Sequence, residues 1–147
     1  MKDPDFKELK HVIGKGRKIC TKGQELSHGY KPDLTIADAN KKIIYIIENE
    51  NKTDRKAYLG DMIKALHYGS LNHVNPVLII VLKPQKNTTI KQIGDQLKTY
   101  FTWLKKYLRC HSLSRVLIIE DRVYKSTIRN KITIGSKVFT KKSYCVV

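Results

Sequence analysis

The sequence predicts an α/β fold, a three-layer sandwich with helices on both sides of a mixed central sheet. Three observations predict it. Residues 43–47, 77–82 and 116–119 are continuous apolar runs, as in strands covered on both faces. Between these runs, apolar residues recur every three or four positions, the helical period. Pro, Asn, Asp and Thr punctuate the joins.

Taken in order, Asp5 to Ile13 reads as a short helix with Phe6, Leu9, Val12 and Ile13 on its apolar side. Residues 14–31 hold Gly14, Gly16, Gly23 and Gly29 and read as loop-rich. Leu34–Ala37 is a short strand, and Asp38-Ala39-Asn40-Lys41 suits a hairpin turn. Lys42 to Asn49 is a central strand. Thr53 or Asp54 caps a helix over 54–68 with a stripe of Tyr58, Leu59, Met62, Ile63 and Leu66. After Asn75-Pro76 comes the strand 77–82. Thr88 or Thr89 caps a longer helix with Ile90, Ile93, Leu97, Phe101, Leu104 and Leu108 inside and Lys91, Lys98, Lys105 and Lys106 outside. Trp103 and most tyrosines fall at spacings that favour packing over a base-stacking platform. The strand 116–119 follows, and residues 122–140 alternate enough for one or two edge strands. The predicted order is α, β, β, α, β, α, β and a basic tail.

The 147 residues suit one domain, with 41% apolar residues to fill one core. No apolar run approaches the roughly 18–20 residues that span a bilayer. The charged start MKDPDFKELK does not resemble a signal peptide, so an intracellular, cytoplasmic or nucleoid-associated location is expected, not secretion. Cys20, Cys110 and Cys145 are widely spaced and odd in number, as expected of reduced thiols. The five histidines are scattered, which argues against a zinc site.

The net charge is +16, which favours a polyanionic partner. It is unevenly spread. Residues 86–147 carry 14 basic and 3 acidic side chains, so +11, whereas residues 33–61 carry 5 basic and 6 acidic, so −1. A binder of nucleic acid has no electrostatic reason to gather carboxylates unless they hold something positive.

Asp33, Glu50 and Lys52 stand out in that window. A hairpin over 34–49 returns Asp33 beside Glu50, and Glu48, Glu50 and Lys52 alternate onto one face. Two close carboxylates repel, and one rises in pKa unless a cation neutralises them. Mg²⁺ suits hard oxygen ligands and keeps positions for water and phosphate. A metal there polarises a phosphodiester and acidifies a bound water. Lys52 suits orienting that water or offsetting charge on the phosphate.

Pro32-Asp33, sixteen residues, then Glu50-Asn51-Lys52 resembles the PD-(D/E)XK nuclease superfamily. The resemblance covers about residues 30–120. It implies a restriction-endonuclease-like αβββαβ core, here with a basic C-terminal extension over 121–147. The family more often runs strand to strand after the motif, so the helix at 54–68 reads as a departure or an insertion. By resemblance Asp33 and Glu50 are metal ligands, the Asn51 carbonyl a third, and Lys52 the catalytic lysine. The implied cofactor is Mg²⁺, with Mn²⁺ able to substitute. Glu48 ranks below Glu50 because no Lys follows two positions on. The family often adds an acid from its first helix, for which Glu8 and Glu25 are the candidates.

The expected activity is metal-dependent hydrolysis of phosphodiester bonds in duplex or branched DNA, of restriction, homing or junction-resolving type. A non-catalytic nucleic-acid-binding module and an RNA-processing nuclease with the same core remain alternatives. Candidate nucleic-acid contacts are Lys15, Arg17 and Lys18 in the glycine-rich loop, Arg55 and Lys56 after the motif, and Arg122, Lys125, Arg129 and Lys131 in the C-terminal third; Lys64 and His67 on the following helix are also placed to touch substrate phosphate, although a solvated helix face accounts for any one of these helix residues. A homodimer or higher symmetric oligomer is expected, because cutting two strands takes two sites.

Overall fold

The computed structural model describes residues 1–51, 54–108 and 112–147. Its helices are α1 (Asp3–Lys7), α2 (Arg55–Asn72), α3 (Ile90–Leu108), α4 (Asp121–Arg129) and α5 (Lys137–Lys141). Its strands are β1 (Lys18–Thr21), β2 (Leu34–Ala37), β3 (Ile43–Glu50), β4 (Val77–Leu82), β5 (Arg115–Glu120) and β6 (Tyr144–Cys145). The strands lie side by side in chain order in one mixed sheet. β1, β2 and β3 are antiparallel, β3, β4 and β5 are parallel, and β6 is antiparallel to β5.

Two cores flank this sheet. One joins Ile46, Leu78, Ile80 and Ile118 to Tyr58, Met62 and Leu66 of α2 and Ile93, Leu97 and Phe101 of α3. The other joins Ile47, Ile79, Val81 and Leu117 to Phe6 of α1, Tyr124 of α4 and Phe139 of α5. The alternation of β3 and β4 side chains between these cores explains why both strands read as unbroken apolar runs.

Local chemistry sets the joins. Asp38 closes the β2–β3 hairpin, its carboxylate accepting from the Asn40 and Lys42 amides at 2.9 and 3.0 Å. Asp54 caps α2 by accepting from the Lys56 amide at 2.9 Å. α2 ends at His73 in the left-handed conformation (φ 52°), with the Val74 amide returning to Gly69 O.

Several expectations are corrected. The first helix stops at Lys7, not Ile13. Residues 18–21, expected as loop, form β1: Ile19 packs on the second core and Thr21 bonds Thr35, a signal too short to show as periodicity. The described order therefore begins α, β, β, β, α, β. Residues 122–140 hold helices α4 and α5, not edge strands. Tyr124 and Phe139 are fully buried and β6 joins the sheet, so residues 121–147 are packed against the body. Trp103 is 54% exposed, as are Tyr100 and Tyr107 to similar degrees; the inner face of α3 is filled by Ile93, Leu97, Phe101 and Leu104. In α2, Ile63 faces solvent, and the buried side holds Asp61, Ala65 and Gly69 as well as Tyr58, Met62 and Leu66. The charge of Asp61 hides it from an apolar-stripe reading.

No helix among the described residues is long and apolar enough to cross a membrane.

Candidate functional site

Because β3, β4 and β5 are parallel, Glu50, Leu82 and Glu120 align at one edge of the sheet. β2 runs the other way, so its first residues reach that same edge. The register pairs Leu34 with Ile47, which sets Asp33 across from Glu48. The Asn49 amide donates to Asp33 Oδ2 at 2.9 Å, and the Asp33 amide donates to Glu48 Oε2 at 3.3 Å. Lys7 Nζ lies 3.5 Å from Asp33 Oδ1.

Glu48 and Glu50 project toward α2, where Asp61 comes up beneath them. Glu48 and Asp61 are each only 6% exposed. The carboxyl groups of Glu50 and Asp61 meet within hydrogen-bonding reach. Lys64, one turn on, lies 3.7 Å from Asp61 Oδ1, while Asp61 Oδ2 is buried without a partner.

The electrostatics follow from this crowding. Burial pushes the Glu48 carboxyl up to about 8, with the Asp61 charge adding to it. Burial and then the Asp61 carboxyl push Glu50 up to about 8. Asp61 is itself raised, chiefly by burial. Burial raises Asp33 too, against the opposing Asn49 hydrogen bond. Without a cation this edge therefore retains protons at neutral pH.

Each expected site residue has a definite place, apart from Lys52, which lies outside the described residues. Asp33, Glu48 and Glu50 are brought together. Asn51 is exposed, and its side-chain amide donates to Asp3 Oδ1 at 3.0 Å. Glu8 is exposed at the end of α1, and Glu25 accepts from the Gly29 amide in a surface loop. The acid that α1 brings near the site is Asp3, which bonds Asn49 and adds its charge to the field at Asp33 and Glu50.

Among the basic candidates, Arg17 is taken up structurally. Its guanidinium donates to Ile134 O at 3.1 Å and sits over the Tyr45 ring. Arg122 pairs with Glu120. Lys15, Lys18, Arg55, Lys56, Lys125, Arg129 and Lys131 are exposed. Sequence reasoning passed over Lys83 and Lys86, which share a surface cleft with Asn51 at the acidic edge. Lys86 also lines the next cleft along, with Lys91 and Arg122.

Cys20 and Cys145 are free and exposed, whereas Cys110 lies outside the described residues. His11 is half-buried against Phe6 and hydrogen-bonded to Tyr124 Oη at 2.8 Å, and burial lowers its pKa to about 4. Its role is packing.

Among the described residues, no three His, Cys, Asp or Glu side chains stand preassembled around one ion position. Mg²⁺ does not require that, since it binds through one or two carboxylates and fills its shell with water and phosphate. The donors here are all hard oxygens, and the unpartnered, buried Asp61 Oδ2 is the kind of atom a cation satisfies. These residues fit such an ion. No known family model, curated protein or solved structure matches the chain.

Proposed function

We propose that the chain is a Mg²⁺-dependent endonuclease acting on DNA. One observation carries this reading: Asp33, Glu48, Glu50 and Asp61 crowd one sheet edge of a chain whose net charge is +16. Clustered carboxylates lower stability unless they bind a cation, and folds retain such costs mostly where function needs them. Support also comes from the order α1-β1-β2-β3-α2-β4, with an acid before β2 and acids at the end of β3. The PD-(D/E)XK core has the same αβββαβ element order, with a helix in the place that α2 takes here.

Asp33 and Glu50 would hold Mg²⁺, with the Asn51 carbonyl as a further oxygen and Asp61 beside Glu50 adding negative charge to the site. When bound, the ion polarises the phosphodiester and acidifies the attacking water. The protein's own groups do the rest. Glu48 fixes the start of β2 by accepting the Asp33 amide. Lys7 and Lys64 offset charge at the two sides of the cluster. Lys83, Lys86 and Arg122 line clefts suited to backbone phosphates, which such cations bind without reading sequence. Lys52 takes the role of catalytic cation. A symmetric dimer would supply the two sites that a double-strand cut needs.

Digestion of linear duplex, single-stranded and four-way-junction DNA tests this. Scission with Mg²⁺ or Mn²⁺, absent with EDTA and in Asp33→Asn, supports the reading. Wild-type-like scission by both Asp33→Asn and Glu50→Gln overturns it.

A further inference from the structure

A small cavity lies beside the carboxylates, on the side away from Lys7. It is lined by His28 and Tyr30 of the loop before β2 and by Lys64 and His67 of α2, and its volume is about 140 Å³. Two of these residues connect it to the cluster. Lys64 reaches Asp61, and the Tyr30 hydroxyl lies buried beside Glu48 without a hydrogen bond of good geometry. Tyr30 as a whole is 7% exposed.

The lining residues are rich in donors and include no carboxylate: one lysine, two histidines, two tyrosines (Tyr30 and Tyr68) and Ser27. The volume is several times the roughly 30 Å³ share of one water and below the about 300 Å³ where pockets for larger organic ligands begin. A phosphate group fits within that volume. The loop is also unusually shaped. His28 and Gly29 both have positive φ (41° and 77°) in a two-residue turn closed by the Tyr30 amide on Ser27 O at 2.7 Å. A histidine in that conformation is uncommon where Gly or Asn would serve, and it sets an imidazole at the cavity mouth.

We propose that this cavity is a phosphate subsite, in which Lys64, His67 and His28 hold a phosphate of the substrate strand next to the one that is cut, while Tyr30 closes the wall toward Glu48. The inference rests on the nuclease reading. It makes Lys64 a bridge between the metal-holding acids and the bound strand. It also makes α2 contribute to substrate positioning through Lys64 and His67, which share a helix face at i and i+3.

The test uses the full chain with two separate readouts. Mn²⁺ binding, followed by water-proton relaxation, reports on the carboxylates. Imidazole resonances of His28 and His67, followed by NMR with Mg²⁺ present, report on added inorganic phosphate. Phosphate is expected to shift both imidazoles. His67→Ala is expected to weaken phosphate about tenfold, the effect of losing one hydrogen bond to a charged group. His28→Gly, which suits the left-handed backbone, is a second variant with the same expectation should the first not fold. Intact Mn²⁺ binding with no imidazole response overturns the subsite and leaves the nuclease reading standing. Absent Mn²⁺ binding overturns the nuclease reading, while a His67-dependent phosphate response without metal still supports the cavity. A 5′-phosphorylated oligonucleotide and its 5′-hydroxyl counterpart then identify the source. His67 dependence for both assigns an internal phosphate, dependence for the first alone assigns a terminal one, and dependence for neither overturns the proposal.

Discussion

Glu50 at the end of β3 and Asp61 in α2 turn their carboxyl groups toward each other, although the net charge of the chain is +16. Lysines are plentiful, yet among the described residues the ion-pair partners of Asp33, Glu48, Glu50 and Asp61 are Lys7, on Asp33, and Lys64, on Asp61. The crowding of these carboxyls is relieved in the metal-free fold by keeping protons, and it costs free energy once both groups ionise.

Asp61→Asn should raise stability and lower activity together. The substitution removes a like charge and offers an amide donor to Glu50, so Tm of the metal-free protein at pH 8 should rise. Mg²⁺ affinity and cleavage should each drop by about 10- to 100-fold. Thermal melts and cleavage rates on one preparation check this. A fall in Tm with unchanged cleavage would assign Asp61 a purely structural role.

Stability of the metal-free protein should decline as pH rises. Glu48 and Glu50 keep their protons in the folded state up to about pH 8, whereas an unfolded glutamate loses its proton near pH 4.3. Between those values the unfolded chain binds fewer protons, so the stabilisation is complete below about pH 4.3 and is lost as pH climbs toward 8. For the buried Glu48 the slope is at most about 1.4 kcal/mol per pH unit. Saturating Mg²⁺ should flatten the decline, because it binds the deprotonated acids. Urea melts at half-unit pH steps, with and without Mg²⁺, measure both effects.

Basic residues should divide into two groups. Lys83→Ala with Lys86→Ala should weaken duplex binding and reduce the slope of log K against log salt by about 0.9 per lost phosphate contact. Arg17→Ala should leave that slope unchanged and cost about 1–2 kcal/mol of stability, because its guanidinium satisfies the Ile134 carbonyl. Fluorescence anisotropy over a salt series and denaturant melts separate the groups.

Gly69→Ala tests how α2 is seated. A methyl group there would run into the Ser112 carbonyl and the Val74 carbonyl. Alanine normally favours a helix by up to about 1 kcal/mol over glycine, yet overpacking against backbone costs about 1–3 kcal/mol. A net loss of stability is expected in urea melts, and a gain would mean that the helix can shift outward.

The parts of the fold that rest on long apolar periodicity were legible in the sequence. The hairpin, β4, β5 and the two long helices follow from Ile43–Ile47, Val77–Leu82 and the Ile93–Leu104 stripe. Short elements held by tertiary contact were not. β1 depends on pairing with β2, and α4 places single buried residues such as Tyr124 among exposed Lys and Arg, a pattern that imitates strand alternation. In the site, hairpin register made Asp33 and Glu50 readable. Asp61 escaped because its meaning depends on the packing angle of α2, and Asp3 because it arrives from the far end of the chain.

The role proposed for these carboxylates is to hold a divalent cation that drives phosphodiester cleavage. Its most direct test is scission of a supercoiled plasmid by the wild type, Asp33→Asn and Glu50→Gln, each with Mg²⁺, Mn²⁺ or EDTA. Nicked or linear product is expected from the wild type with either metal, none with EDTA, and at least about 100-fold slower scission by both variants. Equal scission by all three proteins, or no Mn²⁺ binding and no scission by the wild type, would contradict it.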